Sequence, residues 1–220
     1  MISKMILQSL SKGKLSVFLF HKVPQRCDPL VPIDVDIARF EQLLDHMCSQ
    51  FQVLPLEDAV ARLQAGCLPR AAACITFDDG YPDWLAGAAP ALLRRNLHAT
   101  FFITSGQFDG APLWHERILA AVRRLPGPLL DLGIPFLPEQ AVATVDDRRR
   151  QVQRLEQELK YLTLHRREQI LRQLESAAGV RAADVPVMSE AQLRDLYNQG
   201  FGIGAHTALH PILDYCNADE

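Results

Sequence analysis

Apolar positions along the chain follow two periodicities in turn. Short apolar runs at 15–20, 52–54, 71–77 and 99–103, and one beginning at Phe201, predict strands. Between them apolar residues recur every three to four positions, as on one face of a helix. Asp36 is placed to cap a helix in which Phe40, Leu43, Leu44, Met47 and Phe51 share a face. Leu56 to Gln64 predicts a second helix, with Leu56, Ala59, Val60 and Leu63 inward and Gly66 closing it. Pro82 opens a third, with Trp84, Leu85, Ala88, Ala89 and Leu92 inward. Pro90 is expected to kink or split it, and Asn96 to stop it. Strands alternating with helices argue a parallel α/β arrangement.

From Gly106 to Val187 the pattern changes. Trp114 to Leu125 reads as helical, and a Pro/Gly-rich break follows from Pro126 to Pro138. Asp146 to Leu162 places Val152, Leu155, Leu159 and Leu162 on one stripe; Leu164 to Ala178 does the same with Ile170, Leu171 and Leu174. Arginines crowd this region, Arg166, Arg167 and Arg172 among them. Aspartates and glutamates interleave them, so a solvated helical face is expected and not a nucleic-acid surface. The segment reads as a helical insertion at about 106–187 within one domain, shaping a substrate groove or an oligomer contact. Ser189 and Gln192 form a capping box for the next helix, which Gly200 closes.

Two strand ends carry the candidate chemistry. The run Ala71 to Phe77 stops at Asp78-Asp79-Gly80. Adjacent carboxylates repel, and a cation or a proton-transfer task would hold them together. An Asp-Asp-Gly turn that merely ends a strand is the simpler alternative. The run from Phe201 stops before His206-Thr207-Ala208-Leu209-His210-Pro211. Histidines at i and i+4 fall on one face if the backbone turns helically, and can then share a metal. Two unrelated surface histidines are the alternative here. In a parallel sheet, ends of the same sense gather on one face. One aspartate and two histidines would make a three-ligand site with open positions, the layout of a catalytic metal centre.

Thr76-Phe77-Asp78-Asp79-Gly80 and His206 to Pro211 resemble the first two motifs of the polysaccharide deacetylases, the NodB-homology domain of carbohydrate esterase family 4. Ala99 to Ile103 looks like the strand that follows the first motif. The likeness runs from about Leu15 to Pro211 and is weakest over about 125–185. It implies an α/β fold, an irregular (β/α) barrel of the NodB type. It also implies a metal-dependent hydrolase that removes acetyl groups from N-acetylated amino sugars of a polysaccharide. On this resemblance Asp79, His206 and His210 hold a divalent ion, Zn²⁺ most simply, with Co²⁺ or Ni²⁺ also suited, and Asp78 is the general base. Thr207 orients the loop or caps its turn. Most of the family place an arginine motif and a late Leu-x-His acid after the second motif, whereas ten residues follow His210 here. The last strands of the barrel are therefore expected to be missing or supplied by another chain. Some permuted members supply the acid from a first-strand motif similar to Phe20-His21-x-Val23. That makes His21 the candidate general acid, with a hydrogen-bonded structural histidine as the alternative. His115 could line the groove, with a surface position at a helix start the favoured expectation, and His46, His98 and His165 are expected exposed. Two other readings stay open: a catalytically silent carbohydrate- or metal-binding fragment, and an O-acetyl esterase.

Composition narrows the remaining classes. The chain has 220 residues, 48% hydrophobic and 22% charged, with net charge −3. That length supports a real core, and that charge gives no case for nucleic acid or an anionic membrane. The five cysteines are scattered and form no Cys-x-x-Cys; Cys48 and Cys74 fall on apolar faces, so reduced thiols are expected. Lys4, Lys12 and Lys14 precede an apolar run, Val17 to Phe20, that is too short for a signal peptide. No run approaches the ~20 apolar residues of a membrane span. A cytoplasmic location is expected, although relatives that act on envelope polysaccharides are often exported. Oligomeric state is left open.

Overall fold

The strand Ala72–Phe77 (β3) is buried at all six positions, as an unbroken apolar run requires of a strand covered on both faces. The other strands assemble around it. This computed structural model describes residues 10–32, 35–134 and 139–216. Lys4 and residues 135–138 of the Pro/Gly-rich break lie outside them. By its contacts the chain divides into two compact units. The first comprises Met1–Cys27, Ile33–Ile103 and Met188–His206, and the second Asp28–Pro32, Thr104–Val187 and Thr207–Glu220.

The first unit holds the sheet. Ser16–Phe20 (β1), Thr100–Ile103 (β4) and Gly202–Ala205 (β7) give the order β1-β3-β4-β7, and Gln52–Val53 (β2) also pairs with β3. Every pairing is parallel, with Phe20 opposite Phe77 and Phe101 opposite both Phe77 and Ile203. This is the mixed α/β class with a parallel sheet that the periodicities and the resemblance imply. β1 alternates: Val17 and Leu19 are exposed, while Phe18 and Phe20 turn inward. Beneath the strand ends lies an aromatic core. Phe77 stacks on Phe101 at 4.7 Å between centroids, Trp84 meets Phe101 at 4.8 Å, and Phe40 meets Phe77 edge-on.

The helices follow the periodicity, with three corrections. Ile37–Gln50 (α1) is capped by Asp36, whose carboxylate accepts from the Arg39 N–H, and it buries Phe40, Leu44 and Met47. Cys48 is exposed; it stands one residue, about 100°, past that stripe. In Leu56–Gln64 (α2) only Ala59 is fully buried, and Val60 and Leu63 are exposed. A nine-residue helix is about 13 Å long, while the two-residue β2 it follows spans about 7 Å. The helix expected from Pro82 does split, but at Gly87. A 3₁₀ turn, Pro82–Leu85, precedes Ala88–Leu93 (α3). A Cβ at Gly87 would lie 2.7 Å from the Val23 carbonyl oxygen. Pro90 sits in the first turn of α3, where a missing N–H costs nothing. Asn96, at φ 52°, stops the segment. In Glu190–Asn198 (α7), Ser189 and Gln192 make the expected capping box.

The second unit is helical. Trp114–Arg124 (α4), Val145–Leu159 (α5) and Leu164–Ala178 (α6) bury Ile118, Val122, Leu155, Leu159, Ile170 and Leu174 in one core. Leu129–Leu130 (β5) and Gln140–Ala141 (β6) form a short antiparallel pair. The arginines are not uniformly a solvated face. Arg167 is 3% exposed, and Arg148 donates to the Val122 and Leu125 carbonyls at the end of α4. Arg117 is buried and holds Glu175 bidentately at 2.7 and 3.0 Å and Glu168 at 2.6 Å. Burial works against the Arg117 charge, yet the two glutamates more than offset it and raise its pKa. Interleaved charges therefore mark an ion-pair network that joins α4 to α6.

Candidate functional site

β3 does not stop at its last paired residue. The Asp78 N–H donates to the Phe20 carbonyl at 3.0 Å, which carries the β1–β3 ladder one residue further. The chain then reverses through two successive positive φ angles, 86° at Asp79 and 95° at Gly80. Glycine adopts this freely, and aspartate tolerates it better than most residues. An outlier of this kind at a strand end is typical of functional sites. Asp78 is half-buried, and Asp79 is only 2% exposed.

The second strand end is built in the same way. The His206 N–H donates to the Ile103 carbonyl at 2.8 Å, extending the β4–β7 ladder. The glycines of β7 let it lie flush with β4: a Cβ at Gly204 would meet the Phe102 ring at 2.4 Å. β4 separates β3 from β7, so the two ends stand two strand spacings apart, about 10 Å. The side chains bridge that gap above the end of β4, with His206 Nε2 3.4 Å from Asp79 Oδ1. Two ligands of one tetrahedral ion, at metal–donor distances of about 2.0–2.2 Å, stand about 3.3–3.5 Å apart. The Asp79–His206 pair therefore fits a shared divalent ion in both donor chemistry and spacing.

His21 follows β1 at the same sheet edge and is exposed. Its carbonyl accepts from Trp84 Nε1 at 2.6 Å, and the Asp83 carboxylate accepts from the Val23 N–H at 3.2 Å. The exit of β1 is thereby tied to the turn after the two aspartates. Tyr81 is buried under Lys22, whose Nζ lies 5.0 Å from the ring centroid. Periodicity places Trp84 on a helix face and says nothing of its N–H. The available signal was chemical, since a buried indole normally finds an acceptor.

His210 belongs to the second unit. Its backbone φ is 51°, that of Thr207 is 61°, and the His210 N–H donates to Thr207 Oγ1 at 3.0 Å. Thr207 thus caps the turn, one of the two roles expected of it. His115 is not the surface residue expected. Its side chain is 16% exposed and its ring lies 5.5 Å from the His210 ring. His46, His98 and His165 are exposed. The second unit also contains a cavity of about 380 Å³, lined among others by Trp114, Arg117, Arg167, Glu168 and Leu209.

The sequence matches the family described as polysaccharide deacetylase over residues 65–220. No curated protein matches the chain. Among solved structures, the Streptococcus pyogenes deacetylase PplD in complex with acetate is similar at 16% identity and a TM-score of 0.52, over 93% of this chain and 61% of that one. The BpsB deacetylase domain from Bordetella bronchiseptica is similar at 17% identity and a TM-score of 0.43, over 87% of this chain and 54% of that one. IcaB from Ammonifex degensii is similar at 17% identity and a TM-score of 0.38, over 93% of this chain and 92% of that one. The chain thus spans less than two thirds of the length of the first two structures. The likeness to PplD is one of fold.

Proposed function

This chain belongs to the polysaccharide deacetylase family, and from that premise we propose that it hydrolyses the acetamide of N-acetylated amino sugars in a polysaccharide. Asp79, His206 and His210 are the ligand set of this reading, one carboxylate oxygen and two imidazole nitrogens. Such a set suits Zn²⁺, with Co²⁺ or Ni²⁺ close behind. When bound, the ion lowers the pKa of a water and polarises the acyl oxygen. Asp78, beside Asp79 and half-buried, takes a proton from the attacking water. The oxygen of that water adds to the acetyl carbon, and the carbon–nitrogen bond of the tetrahedral intermediate then breaks. The amine leaves with a proton given by His21, which stands at the same sheet edge. Acetate and a free amino sugar result.

The observation that carries this reading is the 3.4 Å approach of His206 Nε2 to the buried Asp79 carboxylate at two strand ends. The test is acetate release from N-acetylglucosamine oligomers by the chain, first stripped of metal and then resupplied with zinc. Release that disappears with the chelator and returns with zinc is expected. A folded, zinc-loaded protein that releases no acetate would overturn it and favour a silent carbohydrate-binding role.

A further inference from the structure

Four successive carbonyls, Thr207 to His210, each accept a hydrogen bond within the second unit. The backbone N–H groups of Ser105 and Gly106 serve Thr207 and Ala208 at 3.0 and 2.9 Å. Arg167 Nη2 serves Leu209 at 3.2 Å, and Trp114 Nε1 serves His210 at 3.2 Å. Gly106 is needed for this approach, because a Cβ there would lie 2.5 Å from the Ala208 oxygen. The two side-chain donors also hold each other: the Arg167 guanidinium lies over the Trp114 ring at 4.8 Å. Arg167 is 3% exposed, and its guanidinium meets a ring face and a carbonyl there. The segment so held contains two residues at positive φ, Thr207 and His210. A four-residue loop in that conformation has no regular structure of its own to preserve it.

We infer that Trp114 and Arg167, one from α4 and one from α6, are positioning residues for His210, setting the backbone from which its imidazole projects. The inference rests on the reading of His210 as a metal ligand given above. Donors that orient a ligand from outside the coordination sphere typically govern metal affinity by about 10–100-fold. Helices read from sequence as an insertion thus act on the backbone of His210 through two hydrogen bonds and one stacked ion.

The test uses the full chain and two conservative variants. Trp114→Phe keeps an aromatic ring under Arg167 and removes the N–H. Arg167→Lys keeps a charge and removes the planar stack. Zinc affinity is measured by competition with a chelating dye, and the visible spectrum of the Co²⁺-loaded protein reports ligand geometry. Melting of the metal-free protein reports the fold. About tenfold weaker zinc binding and an altered Co²⁺ spectrum are expected in both variants, with the metal-free melting temperature within a few degrees of wild type. Wild-type affinity and an unchanged spectrum in both would overturn the inference. So would a loss of affinity that merely tracks a loss of fold. His210→Ala serves as the reference. If it binds zinc as tightly as wild type, the ligand assignment itself fails, and this inference with it.

Discussion

At the scale of single residues, the adjacent aspartates divide the work by position. Asp79 carries the positive φ and the buried carboxylate facing His206; Asp78 still belongs to the ladder and stays half-buried. Asp79→Ala should therefore lose zinc and activity together. Asp78→Asn should keep zinc and lose about 10²–10⁴-fold in rate, the range for a positioned base. Zinc stoichiometry and acetate release, measured on the same samples, separate the two. An Asp78→Asn protein with full activity would remove Asp78 from the mechanism. Much of this site was legible from sequence because both strand ends are punctuated: an apolar run meets two acids and a glycine, and a second run meets a histidine. The Trp84 N–H was not legible, since its acceptor on His21 lies 63 residues away and no local pattern encodes it.

At the scale of elements, period and capping were readable where contacts are local. Asp36 and the Ser189–Gln192 box behave as their spacing implies. Burial was less readable, as Val60, Leu63 and Cys48 show. Which part of an apolar stripe is covered depends on how much sheet lies beneath it. The charged face of the helical unit misled for a similar reason. Interleaved arginines and glutamates look alike on a solvated helix and in an ion pair between helices, and only the meeting of α4 with α6 distinguishes them. Arg117→Ala leaves the Glu175 carboxylate buried without its bidentate partner, which should cost about 3–5 kcal/mol. Replacing both, as Arg117→Met with Glu175→Leu, should recover most of that. The urea midpoints of the single and double variants check this. Equal midpoints for Arg117→Ala and wild type would mean that the network does not hold α4 to α6.

At the scale of the molecule, β3 is both the scaffold of the site and the centre of the first core, and its one ionisable interior group is Cys74. Burial pushes this thiol from about 9 up to about 11. The unfolded chain releases the proton near pH 9, whereas the folded chain keeps it until about pH 11. Stability contributed by the neutral thiol is present below pH 9 and lost as pH rises towards 11. The melting temperature should fall across that window, and fall less in Cys74→Ala; parallel slopes would exclude the thiol as the cause. Among the described residues no helix is long and apolar enough to cross a membrane. β1 has a different consequence. Among the described residues it ends the path of the sheet, with Val17 and Leu19 facing outward, and neither proline nor charge interrupts its five residues. Such an edge invites a strand from a neighbouring molecule. In concentrated solution, this border is where clumping of the isolated chain would begin.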